Sequence, residues 1–310
     1  MSLALVFPGQ GSQKIGMLSA FYEDYPQVKE TFDEASTVLG YDLWEVITSG
    51  PEEKLNSTDV TQPAMLAAGV AIWKLWNEKN GEQPAYMAGH SLGEYTALVC
   101  AGVMEFKDAI KLVSSRGKYM QEAVPAGTGS MAAILGLEDD AVREVCSDAT
   151  SAEQIVEAVN FNSPGQVVIA GHAAAVERAT ELAKEKGAKR AVILPVSVPS
   201  HCQLMKPAAD KLAADLEAIS LSTPNVPVWN NVDVQTANSA DDIKQALIKQ
   251  LYQPVRWVEI IQNMASQGVD RIIECGPGKV LWGLNKRIDK TLTHAALIDS
   301  ATLEAQVSNN

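Results

Sequence analysis

Along most of the chain, short apolar runs alternate with longer segments whose apolar positions recur at intervals of three and four. Residues 3–8, 85–90, 191–198, 269–274 and 294–298 are rich in aliphatic and β-branched side chains and have the length of strands. Residues 26–39, 62–79 and 106–124 carry the helical period, and Pro26 suits a first helical position. Such alternation predicts an α/β fold with a mainly parallel sheet inside a three-layer core.

Between residues 129 and 196 the rhythm changes. The pattern there predicts strand (130–135), helix (139–149), two strands (154–161 and 166–170), helix (173–186) and strand (189–196). That βαββαβ order is the ferredoxin-like unit. The expected organisation is therefore a large α/β domain (1–128 and 197–310) with a small subdomain (129–196) inserted, and a ligand cleft between them. The tail after Asp299 is expected to be loosely ordered.

Composition narrows the function. The 310 residues carry 25 Lys and Arg against 38 Asp and Glu, a net charge of −13, which argues against nucleic acid as a partner. No apolar run approaches the ~18 residues of a membrane span, and the N-terminus has no basic, signal-like start. Four scattered cysteines, none in a C-x-x-C pair, fit reduced thiols in a cytoplasmic protein and give no pattern for a structural metal.

Of two glycine-rich turns, the first invites a nucleotide reading and does not sustain it, and the second could present backbone N–H groups to an anion. In the loop 9–16, Lys14 stands where a dinucleotide fingerprint needs its third glycine. A P-loop would need Lys and Ser or Thr where Met17 and Leu18 follow. The turn 276–279 reads as an ordinary strand-to-helix connection.

The chemistry concentrates at Gly89-His90-Ser91-Leu92-Gly93, a G-x-S-x-G sequence between a predicted strand and a predicted helix, the context of a nucleophile elbow. There the Ser91 hydroxyl would stand at a helix N-terminus, with the Leu92 N–H facing a developing oxyanion. A serine needs a base. Of the four histidines, His201 follows a strand end and opens the predicted helical run 202–217, which makes it the candidate; no Asp stands out as a third member. Arg116 interrupts the apolar stripe of Ala109, Val113, Met120 and Val124 on one helix face. An inward guanidinium needs an anion, either a protein carboxylate in a core salt bridge or the carboxylate of a substrate near Ser91.

With Gly9-Gln10-Gly11-Ser12-Gln13, Gly89-His90-Ser91-Leu92-Gly93-Glu94, Arg116-Gly117, Asn160-Phe161-Asn162-Ser163-Pro164-Gly165-Gln166 and Pro199-Ser200-His201 in this order, the chain resembles the malonyl-CoA:acyl-carrier-protein transacylases of bacterial fatty-acid synthesis. The resemblance runs through nearly the whole chain. It implies an α/β-hydrolase-like large domain with a ferredoxin-like small one. It also implies a ping-pong transfer of malonyl groups through Ser91, with His201 as base and the Gln250 main-chain carbonyl orienting it. Gln10 and Leu92 would form the oxyanion hole and Arg116 would clamp the malonyl carboxylate. The implied partners are malonyl-CoA and a holo acyl carrier protein, with no cofactor or metal of the enzyme's own, in a cytoplasmic monomer. The carrier is acidic in this family, so docking calls for a local basic patch. Lys184, Lys186, Lys189 and Arg190 form one candidate and Lys286 with Arg287 another. A serine hydrolase using the same Ser91 and His201, or a catalytically silent carrier-binding protein, are the competing readings.

Overall fold

A computed structural model describes residues 2–196 and 198–308. Ser197, where the expected large-domain segment resumes, lies outside the described residues. The strands are β1 (Leu3–Phe7), β2 (Tyr86–Gly89), β3 (Gly129–Leu135), β4 (Val156–Ser163), β5 (Gln166–His172), β6 (Arg190–Ile193), β7 (Val228–Trp229), β8 (Arg271–Cys275) and β9 (Thr293–Leu297).

One sheet is parallel, ordered β7-β2-β1-β8-β9. Its central strand β1 is buried at every residue, because helices cover both faces, as parallel sheets require. The period of two decides the layers: Leu3, Leu5 and Phe7 join the core that includes helices Val28–Leu39, Thr58–Glu78 and Phe106–Ala123. Ala4 and Val6 join the opposite one, built on helix Trp257–Ser266.

The second sheet is antiparallel, ordered β4-β5-β3-β6, with helices Asp139–Ala149 and Ala173–Glu185 in the βαββαβ sequence. Both helices pack on one face, where Ile134, Val167 and Ile169 meet Val142, Val145 and Val176. The other face carries Met131, Val159 and Val168. It looks onto the large domain, and the two units are laced together there: Val255 pairs with Asn160, donating to the Val159 carbonyl and accepting from the Phe161 N–H.

Several expected boundaries move. The strand expected at 191–198 is the short edge strand β6. The helix expected from Pro26 begins at Val28, after a turn in which Pro26 still accepts from Lys29. The helix expected at 62 starts a turn earlier, at Thr58, with Pro63 inside it. As far as residue 308 the tail is not loose: Ser300–Val307 is a helix, capped by Asp299 through a reciprocal bond with Thr302 and anchored by buried Leu303. Nor does His201 open a helix, because a single 3₁₀ turn, Gln203–Met205, precedes the helix Lys206–Glu217.

Candidate active site

A cavity of about 690 Å³ lies between the two units, lined by Gln10, Ser91, Leu92, Arg116 and His201 from the large domain and Met131, Asn160 and Val168 from the small one. Ser91 sits between β2 and the helix Leu92–Cys100 with φ 51 and ψ −109. For a residue with a side chain this conformation costs on the order of 1–3 kcal/mol, so surrounding structure must impose it. The turn closes only because its flanks lack side chains. A Cβ on Gly89 would lie 1.8 Å from the Gly93 carbonyl carbon, and one on Gly93 would lie 2.0 Å from the Phe7 oxygen.

His201 also holds a positive φ, 66°, and is 3% exposed. Its Nε2 is 2.8 Å from Ser91 Oγ, and its Nδ1 is 2.6 Å from the main-chain oxygen of Gln250. A carbonyl can only accept, so Nδ1 carries the proton and Nε2 is left to receive one from the serine. Burial, and after it the positive charge of Arg116, push the imidazole down to about 3; the Gln250 carbonyl opposes the shift. At neutral pH the ring is therefore uncharged and able to act as a base.

Arg116 is 1% exposed. It donates to Gln62 Oε1 at 2.8 Å and to Gln250 Oε1 at 3.0 Å, with Nη2 at 3.5 Å from Ser91 Oγ. Its guanidinium carbon lies 5.2 Å from the Tyr95 ring centroid, and its Nε has no hydrogen-bond partner among the described residues. Among the described residues it joins no salt bridge, which removes the core-salt-bridge reading. Two neutral amides hold the cation without neutralising it.

Gln250, wholly buried at the end of the helix Ala240–Gln250, donates from Nε2 to Glu94 Oε2 at 2.7 Å and to the Ser91 carbonyl at 3.0 Å. Its amide orientation is thereby set, since an arginine can only donate to the oxygen on the other side. Burial lifts the Glu94 carboxyl to about 7, against the hydrogen bonds from Gln250 and Asn231.

Gln10 reaches the cavity from the loop after β1, and Leu92 is the first residue of its helix. Of the remaining histidines, His90 turns to Asn162 Oδ1 at 2.7 Å, His172 accepts from the Ile155 N–H, and His294 bonds the Asp289 carbonyl. The glycine turn 276–279 does lead into a helix, but Glu274 already accepts the Trp282 N–H at its start. Gln62, Glu94 and Asn231 were not singled out in the sequence. Polar residues at helix and strand ends carry no pattern that marks them, although Glu94, three residues beyond Ser91, lay within the quoted motif.

Chemically, this is a serine with a neutral imidazole as proton acceptor, at a helix N-terminus, beside an unneutralised cation: a site suited to accepting and releasing acyl groups that bear a negative charge. The chain matches the acyl transferase domain family over residues 4–306. It is 58% identical over 305 residues to the malonyl CoA-acyl carrier protein transacylase of Salmonella typhimurium, spanning 98% of each chain. With the Bacillus subtilis protein of the same name it shares 48% over 305 residues, 98% of this chain and 96% of that one. Among solved structures, a malonyl-transacylase in complex with a type II PKS acyl-carrier protein has a TM-score of 0.98 at 58% identity, covering 100% of both chains. An acyl carrier protein S-malonyltransferase from Vibrio cholerae gives 0.96 at 61%, covering 98% of this chain and 99% of that one. The chain belongs to the acyl transferase family.

Proposed function

We propose that this protein transfers a malonyl group from malonyl-CoA to the phosphopantetheine thiol of an acyl carrier protein, in fatty-acid synthesis, through a malonyl ester on Ser91. The observation that carries the reading is Arg116, a buried guanidinium that joins no salt bridge among the described residues, 3.5 Å from the Ser91 hydroxyl.

His201 Nε2 takes the Ser91 proton as Oγ attacks the thioester carbonyl. The tetrahedral oxyanion is held by the Leu92 N–H and the Gln10 loop, with the helix dipole behind it. The C–S bond then breaks, and His201 returns the proton to the departing CoA thiolate. The carrier thiol enters and the same steps run in reverse, which gives ping-pong kinetics. Gln250 serves twice, holding the His201 tautomer with its main chain and Arg116 with its side chain.

Intact mass spectrometry after brief exposure to malonyl-CoA or acetyl-CoA, followed by holo carrier protein, tests the proposal. A malonyl adduct on Ser91 that persists in water and moves to the carrier thiol is expected. Immediate loss of the adduct to water, or equal labelling by both thioesters, makes the protein a hydrolase instead.

The low His201 pKa has a kinetic consequence. The base stays neutral as pH falls through the ordinary histidine range near 6.5, so protonation of His201 puts no acid limb on single-turnover acylation by acetyl-CoA above about pH 5, and a limb near pH 7 reports the Glu94 carboxyl behind it. In Arg116→Ala the imidazole loses a neighbouring cation, its pKa rises, and its acid limb moves to higher pH. Stopped-flow profiles of the two enzymes check both the limb and its direction.

The fold merges the two basic groups considered for carrier docking. Register places Arg190 and Gln166 on either side of Leu135, and Arg287 donates to Gln166 Oε1 at 2.8 Å. Lys189, Arg190 and Arg287 thus meet at one end of the small sheet, all exposed, while Lys286, also exposed, holds its ammonium over the Trp282 ring. Lys186 drops out, paired with Glu144 and Asp148. Replacing Lys189 and Arg190 with glutamate raises the apparent KM for the carrier protein about tenfold at low salt and leaves the CoA half-reaction unchanged. Equal effects on both halves would refute the patch as the docking surface.

A further inference from the structure

Asn231 carries no motif, yet its side chain spans the base of the elbow. β2 and β7 run parallel with Met87 opposite Val228 and Ala88 opposite Trp229, so the chain just beyond β7 lies alongside the turn that follows β2. Main-chain pairing between the two strands ends at Ala88 and Trp229, short of the turn. The Asn231 amide takes its place: Oδ1 accepts from the Ser91 N–H at 2.7 Å and Nδ2 donates to the Gly89 carbonyl at 2.7 Å. Asn231 is wholly buried. Its own main chain is pinned on both sides, the N–H donating to Glu94 Oε2 at 3.0 Å and the carbonyl accepting from the Arg256 N–H at 3.0 Å.

We propose that Asn231 is the positioning residue for Ser91, an amide strap from residue 89 to residue 91 that holds the turn in its strained form. Only a primary amide of this length meets the demand, since one end must accept while the other donates. Aspartate offers no donor to Gly89 and adds a second carboxylate beside Glu94. Alanine leaves a buried N–H and a buried carbonyl unpaired. The strap is also tied to the rest of the site. The Glu94 oxygen that holds the Asn231 main chain also holds Gln250, and Gln250 contacts both His201 and Arg116. Nucleophile, base and guanidinium are thus referenced to one buried carboxylate oxygen.

The proposal rests on the reading of Ser91 as the acylated residue, and labelling of the wild-type protein tests that reading separately. Asn231→Asp and Asn231→Ala are compared with wild type in single-turnover acylation by malonyl-CoA and by acetyl-CoA, with the folded fraction measured by circular dichroism. The expected result is a fall of about 10- to 100-fold per folded molecule, equal for the two thioesters, because the displaced atom is the nucleophile itself. In Asn231→Ala, KM for either thioester changes little, since the cavity and Arg116 are untouched. A strap that merely supports the fold lowers the melting temperature but leaves acylation per folded molecule within about twofold of wild type; that result overturns the proposal. So does a loss confined to malonyl-CoA, which would put Asn231 in the service of Arg116. If neither variant folds, hydrogen exchange of the wild-type Ser91 amide decides. Protection like that of core amides supports the strap, and exchange at the rate of an exposed loop overturns it. Absence of a label on wild-type Ser91 removes the reading beneath it as well.

Discussion

Ser91→Ala, exposed to malonyl-CoA, gains no mass and transfers malonyl to the carrier protein at background rate, a loss of about a million-fold if it follows other serine nucleophiles. The size of the effect comes from the covalent route. Without Oγ no ester forms, and the two thiols have no reason to occupy the cavity together. The fold survives, because the hydroxyl faces the cavity and the strained φ of 51° is imposed by Gly89, Gly93 and Asn231, not by the side chain. Circular dichroism is therefore expected to match wild type while mass spectrometry shows no adduct. An adduct of malonyl mass on the alanine variant would move the nucleophile elsewhere.

Arg116→Ala is expected to lose malonyl transfer by about 10²- to 10⁴-fold in kcat/KM, on the view that two hydrogen bonds to a charged group contribute about 1.5–3 kcal/mol each. Acetyl transfer should fall far less, and relative to malonyl it should rise. A neutral acyl group in the wild-type site would leave a buried guanidinium held only by Gln62 and Gln250, whereas on the proposed reading a malonyl carboxylate would neutralise it. The substitution removes that discrimination at its source. Arg116→Lys is not a mild version of the same change: an ammonium has no planar fork and cannot meet both amide oxygens and a carboxylate in one plane. The ratio of kcat/KM for the two thioesters measures the effect, and an unchanged ratio in Arg116→Ala would end the clamp assignment.

Much of this site is legible in the sequence. The elbow was legible because its geometry demands glycines on both flanks, and those leave a short, contiguous signature. Arg116 was legible because a charge on an apolar helix face breaks a periodic pattern. His201 could be reached by elimination among four histidines, though its setting could not, since a residue at φ 66° before a 3₁₀ turn looks in sequence like the start of a helix. What stayed hidden was the layer behind. Gln62, Glu94 and Asn231 come from three elements far apart in the chain, and each matters for the direction of one amide or carboxylate oxygen, which spacing does not encode. The C-terminal helix was missed for a different reason. Its Asp299–Thr302 cap is present in the sequence, but the packing of Leu303 that stabilises so short a helix is tertiary.

The strand order of the large sheet bears on how the chain comes off the ribosome. The small sheet draws all four strands from 129–193, a continuous stretch, and can close as soon as it has been synthesised, at about 5–20 residues per second. The parallel sheet cannot. Its central strand β1 is made first, but one of its two neighbours is β8, with Leu3 opposite Arg271, and the adjoining bond from Ser2 to Asp270 closes a separation of 268 positions. Until β8 arrives, one edge of an apolar strand is open, and pairing so distant in sequence is slow to find. A message cut short before β8 therefore yields a chain that can include every candidate site residue up to Gln250 and still aggregates, because the missing piece closes the middle of the sheet.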